Sequence, residues 1–407
     1  MAEFGGYHMP LWYQTGVKHE HCNVISAAGI FDTSHMAVLT VEGSDSLSLL
    51  QHCFSRDLRR CIGKKPGPLV QGRSAYGLFL REDGTVLDDA IVSQRGPERY
   101  MVVVNSAMGA QVSAHLDQQA GSDVTITDYS DQIGKIDLQG PVSPYILASL
   151  LRDPEIVLQD MIYFSFKGDL FLSDPGSVRI KDDTPLIVSR TGYTGEFGFE
   201  LYVKASDTLS LWQQLLKAGE PYNICACGLA SRDSLRTGAL LPLSHQDIGN
   251  WVFATTPWSF VLPWDDTKSG FTKPFVGAEA VLIGRSSSFT YGFAGYDPRK
   301  IPVSDESVVI SETGEEIGTV LTCTTDMAIG RTGEHIISLA TPVQEGRGDD
   351  FQARGLSCGF VKSKKPCRPG EKVKLSAGKR TITVEIRDDI RPDRTARRSM
   401  PQVADVK

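Results

Sequence analysis

No run of the ~20 apolar residues that a membrane-spanning helix requires occurs in the chain. Nor does a basic segment with an apolar core follow Met1, so neither a membrane span nor a secretory signal is expected. Positive charge is not in excess: 42 Lys and Arg stand against 49 Asp and Glu, a formal charge of −7, which argues against a general nucleic-acid binder. Cysteine is unpatterned: the eight are scattered, none forms a C-x-x-C pair, and only Cys225 and Cys227 lie close in sequence. A zinc ribbon is therefore not expected, and a disulfide scaffold is implausible over 407 residues. Reduced thiols in a cytoplasmic protein, most of them small buried hydrophobes, are the expectation. Internal repeats and low-complexity tracts are missing too. What is present is globular in balance, 41% apolar and 22% charged, and at ~150 residues per domain it is enough for two or three domains.

The pattern along the chain is α+β. Val38, Leu39 and Val41 form a short strand, and the leucines from Leu47 to Leu50 begin an amphipathic helix. Over residues 74–94 two apolar runs flank Arg81-Glu82-Asp83-Gly84, a hairpin signal. Tyr100–Val104 is a third strand, followed by a helical stretch from about 106 to 119, so an antiparallel sheet is expected here. A strand, the turn Gln139-Gly140-Pro141 and a helix through Leu151 come next, then two strands around Arg190–Gly195. Ser206–Lys217 reads as a helix with Leu209, Leu211, Trp212, Leu215 and Leu216 on one broad face. From about residue 290 short strands and Gly-rich turns suggest a small β-barrel or sandwich. Polar, Gly-rich 327–354 reads as a surface insertion, and the Arg-rich end from Asp388 as a solvated tail.

Four constellations carry possible chemistry. Asp88 and Asp89 follow a strand-like Thr85-Val86-Leu87, and alternation sends neighbouring side chains to opposite faces, so one carboxylate points inward. The alternative is a polar hairpin end with both groups solvated. In 191–200 three glycines in seven positions permit tight turning or close ligand approach, Tyr193 offers a stacking face, and Glu200 sits in the strand that follows. A carboxylate there matches a ligand edge with two parallel N–H donors, as a pterin presents; a solvated hairpin Glu is the plain alternative. Arg232 and Arg236 are four apart and share a helical face, fit either to grip carboxylates or to pair with Asp233. His19, His21 and His35 lack a further ligand cluster, so structural or solvated histidine is expected and no metal.

In order, these segments resemble the aminomethyltransferase family typified by the glycine cleavage T-protein. The resemblance runs through AAGIFDTSHM at 27–36, Ala75-Tyr76 leading to Gly84 and Leu87-Asp88-Asp89, and Leu138-Gln139-Gly140-Pro141. It continues through GYTGEFGFE at 192–200, 228–243 with Arg232 to Arg236, Thr255-Thr256-Pro257 through Trp264, and Pro274–Gly277. It implies a three-domain ring around a central folate channel, ending in a β-barrel domain. Residues 1–50 plus 136–270 would form a folate-binding core domain, 51–135 a second α+β domain, and 285–390 the barrel, with 391–407 a flexible tail. Carried over position by position, Glu200 would bind the pterin amine edge of tetrahydrofolate. Tyr76, Tyr193 and Trp264 would wall the folate, Met36 would lie beside the pterin, and Arg232 would hold the folate or its glutamate tail. Asp89 would be the catalytic acid.

The resemblance thus implies a cytoplasmic, tetrahydrofolate-dependent one-carbon transferase yielding methylene- or methyl-tetrahydrofolate, with Asp89 favouring the methylene level. A demethylase of O-, N- or S-methyl compounds, or a halomethane dehalogenase, is the alternative on the same fold; a folate-binding regulator without turnover is a second class. The partner would be a small-molecule donor or a lipoyl carrier protein, with no nucleic acid or membrane, and the chain a monomer or weak dimer. The sequence departs from the family pattern at Thr85, at Trp258-Ser259 and in the 327–354 segment, which bears on the donor and on docking of a carrier.

Overall fold

The structure is a computed structural model of the whole chain, described for all residues except 64, 173–177, 254 and 405–407. Three sheets organise it. A six-stranded sheet runs in the order Phe166–Lys167, Ile187–Ser189, Gly198–Lys204, Ile133–Gln139, Ala28–Asp32, Ile224–Ala226. Its apolar face packs Ile136, Leu138, Phe199 and Leu201 against Ile146 and Leu147 of helix Ser143–Leu150 and against Leu211 and Leu215 of helix Thr208–Gly219. The latter two side chains are four apart on one face; Leu209 falls outside that face and is exposed.

A five-stranded antiparallel sheet takes the order Ser74–Leu80, Val86–Gly96, Arg99–Val104, Ala37–Glu42, Thr125–Asp128. Helices Ser46–Cys53 and Gly109–Asp117 cover one face through Leu49, Leu50, Val112 and Leu116. Strand Ala37–Glu42 pairs with Arg99–Val104 and Thr125–Asp128, so this sheet begins well before residue 51, where the division expected above would cut it. A short β-strand cannot leave its hydrogen-bonded neighbours, and pairing rather than chain order decides its sheet. The third sheet is a closed six-stranded barrel built from strands between Phe289 and Arg387.

Two surface expectations give way. Within 327–354 the strands Ile329–Thr332 and His335–Ser338 form a hairpin whose Ile329, Ile336 and Ile337 are buried; the neighbours Ile336 and Ile337 point to opposite faces, so the hairpin is covered on both sides there. The Arg-rich end is not solvated throughout. Arg391 is fully buried, paired with Asp326 at 2.6 Å and Glu196 at 3.3 Å, and Thr395 donates to Glu196 at 2.6 Å. A buried guanidinium persists only with such partners, which lie far away in sequence. Among the described residues no helix is long and apolar enough to cross a membrane.

Candidate active site

Asp88 and Asp89 sit on strand Val86–Gly96, opposite Ser74–Leu80. Leu80 pairs with Val86 and Phe79 with Asp88, so Leu87 is an extra residue, a bulge directly before the acidic pair. Beyond the bulge the pairing is one-to-one again, Asp88 opposite Phe79 and Asp89 opposite Leu78, so the expected alternation holds between the two carboxylates. Both carboxylates reach Asn105, whose Nδ2 donates to Asp88 Oδ1 at 2.8 Å and Asp89 Oδ1 at 2.5 Å. Neither group is a solvated hairpin end. Asp88 is fully buried and also accepts from the Asn105 backbone N–H at 2.9 Å and Ser244 Oγ at 2.8 Å. Asp89 keeps partial exposure and accepts from the Tyr76 hydroxyl at 2.7 Å. Burial, then the neighbouring Asp88 charge, push the Asp89 carboxyl up to about 6. Burial raises Asp88 as well.

The six-stranded sheet supplies the other half. Glu200 and Asp137 are direct cross-strand partners, a repulsive arrangement for two carboxylates. Lys135, two residues from Asp137 and so on the same face, relieves it: Nζ lies 2.6 Å from Glu200 Oε1 and 2.5 Å from Asp137 Oδ1. Thr191 donates to Glu200 Oε2 at 2.5 Å. Arg232, on helix Leu229–Gly238, donates to Asp137 Oδ2 at 2.7 Å and lies over the Tyr193 ring at 4.9 Å. Charge thus alternates along Glu200, Lys135, Asp137 and Arg232. Burial raises Asp137, but Lys135 and Arg232 outweigh it and hold the carboxyl at about 2.

Tyr193 joins the halves: its hydroxyl donates to the Pro242 carbonyl, and the charges of Asp89, Arg232 and Arg236 all act on it. Tyr76 and Trp264 share one apolar cluster with Trp258, whose Nε1 donates to the Leu240 carbonyl at 2.8 Å. Met36 packs in another cluster, with Tyr202. Arg236 takes the plainer of its two expected roles, buried between Asp233 and Asp247. The glycines of 192–198 serve packing: a Cβ on Gly192 or Gly198 would meet the Gln139 side chain at 2.0 or 2.6 Å. His21 is buried between Ser234 and Asp326, and His35 packs edge-on against Phe4. Asn105, Lys135 and Asp137 are not among the residues singled out from the sequence above, and Thr191 enters there only as the first residue of the 191–200 segment. Lys135-Ile136-Asp137, two charges two apart in the otherwise uncharged run Ile133–Leu138, is the readable signal; Asn105 has none.

Residues 1–264 match the GCVT N-terminal domain family. Aminomethyltransferase from Shouchella clausii is 31% identical over 374 residues, covering 89% of this chain and 94% of the relative. The chain belongs to the aminomethyltransferase family. The aminomethyltransferase of Anoxybacillus flavithermus is likewise 31% identical, over 370 residues, covering 89% of this chain and 95% of the relative. The crystal structure of glycine cleavage system aminomethyltransferase T from Bartonella henselae shares the fold. It aligns with a TM-score of 0.72 at 24% identity, over 98% of this chain and 94% of that one. The mixed α/β architecture with a C-terminal barrel is therefore that of this transferase family.

Proposed function

We propose that this aminomethyltransferase-family protein is a tetrahydrofolate-dependent one-carbon transferase, moving a C1 unit from a donor to N5 of tetrahydrofolate to give methylene- or methyl-tetrahydrofolate. The observation that carries the reading is the pairing, through Tyr193, of a partly exposed carboxyl raised to about 6 with a charge-balanced acceptor end at Glu200.

The residues fit such a ligand. A carboxylate offers about four acceptor directions; at Glu200 Lys135 and Thr191 occupy two and the Tyr202 hydroxyl makes a long contact at 3.5 Å, which leaves one direction clear and one shared with Tyr202 for pterin N–H donors. Arg232 has one N–H committed to Asp137 and others free for a carboxylate tail. Tyr76, Tyr193 and Trp264 supply ring surface, and Met36 a polarizable apolar contact. When bound, tetrahydrofolate supplies the nucleophilic nitrogen that receives the carbon. Asp89, oriented by Tyr76 and Asn105, stands ready to hold or release a proton near neutral pH, which suits general acid–base work.

Calorimetric titration of tetrahydrofolate tests the reading; no binding to the wild type removes it. A panel of aminomethyl-lipoyl carrier, O-, N- and S-methyl compounds and a halomethane then sorts the aminomethyl donor from the demethylase and dehalogenase alternatives.

A further inference from the structure

His245 stands beside the carboxylate pair with its side chain 43% exposed and Nε2 3.8 Å from Asp88 Oδ1. Its φ of 63° places it in the left-handed region, where an L side chain is strained and glycine is not. The loop that carries it is held on both sides. Ser244 Oγ donates to Asp88 at 2.8 Å, the Leu243 N–H to the buried Asp247 at 2.9 Å, and the Gly249 carbonyl accepts from Val86 N–H at 3.1 Å. Asp247 is fixed in turn by Arg236 and by Thr322 at 2.6 Å. A loop so held, carrying a strained histidine whose partly exposed ring stands beside Asp88, matches the way strain collects at functional positions.

We propose that His245 is a second proton carrier of the one-carbon transfer beside Asp89, passing the proton released as the acceptor nitrogen takes up the carbon on to the donor's departing atom. The inference rests on the folate reading above. The balance is simple: a nitrogen–carbon bond forms and the carbon–heteroatom bond breaks. The electron pair leaves with the heteroatom, the proton travels through His245 to that atom, and nothing is oxidised or reduced. A carrier of this kind is needed for a basic leaving group and not for a halide or a neutral sulfide. The donor class is therefore one whose departing atom is oxygen or nitrogen. The groups facing the imidazole are Asp88, Asp89 and Arg81; burial and Arg81 lower it, and Asp89 opposes them, so it is neutral and ready to accept near pH 7.

The test uses the full chain with tetrahydrofolate as probe. The His245 Cε1–H resonance, assigned from its loss in His245→Asn, is titrated with pH before and after saturation. The proposal expects its midpoint to move by half a unit or more on saturation. His245→Gly and His245→Asn tolerate the left-handed conformation, so both should melt no lower than wild type and bind tetrahydrofolate within about 3-fold. With the donor that the panel identifies, kcat should fall by about 10²-fold or more. If tetrahydrofolate binds and the midpoint stays in place, His245 is not such a carrier and the folate reading stands. Undiminished kcat in either variant overturns the proposal equally. If the wild type binds no tetrahydrofolate, the folate reading fails, and this inference fails with it.

Discussion

Asp89 and Asp137 are the same side chain, each on an interior strand of its sheet, yet one carboxyl is pushed up to about 6 and the other held at about 2. Burial raises both. What differs is company: Asp89 has Asp88 beside it and only neutral donors, Tyr76 and Asn105, whereas Asp137 lies between Lys135 and Arg232. Partner charge, more than burial, decides which carboxyl is raised towards neutral pH and which is held as a fixed anion.

The sharpest way to break this contrast is Asp89→Asn, which keeps the shape and removes the proton acceptor. Turnover should fall by about 10²–10⁴-fold while tetrahydrofolate affinity changes far less. Steady-state kinetics beside calorimetry checks it, and equal losses in both would make Asp89 a binding group. On the other half, Lys135→Met leaves two carboxylates facing each other in the interior. A loss of about 3–5 kcal/mol in urea denaturation is expected, with a smaller loss in Lys135→Met/Asp137→Leu, where both charges go together. An undiminished midpoint would show that Glu200 and Asp137 do not need the lysine.

Glu200→Gln should weaken tetrahydrofolate binding by about 10–100-fold, since a charged partner to two donors is lost; unchanged affinity removes Glu200 from the site. The smallest effect lies in the pH dependence of stability, where the two aspartates act with opposite sign. Asp89 is raised, so its contribution is full below about pH 4 and is lost as pH rises through about 6. Asp137 is depressed, so its contribution is full above about pH 4 and is lost as pH falls through about 2. Denaturation curves should therefore lose the pH 4–6 slope in Asp89→Asn and the pH 4–2 slope in Asp137→Asn, each on the order of 2 kcal/mol. A wild-type slope retained in either variant assigns it to other groups.

The sequence by itself determined the local elements. Periodicity placed the hairpin about Gly84 and a helix over Ser206–Lys217, found two residues later at Thr208–Gly219, and motif order placed Asp89, Glu200, Arg232, Tyr76 and Tyr193 in one family pattern. These are properties of neighbouring residues, and alternation or a turn dipeptide reports them directly. Tertiary structure alone decided what each charge faces. Lys135 and Glu200 are 65 residues apart and Asp137 and Arg232 are 95 apart, yet they make ion pairs. Asn105, just past the neighbouring strand Arg99–Val104, ties Asp88 and Asp89 together from 17 and 16 residues away. Arg391, written into an apparently solvated tail, became a buried ion because Asp326 and Glu196 meet it there. The Coulomb term depends on separation in space, and only the fold sets that distance.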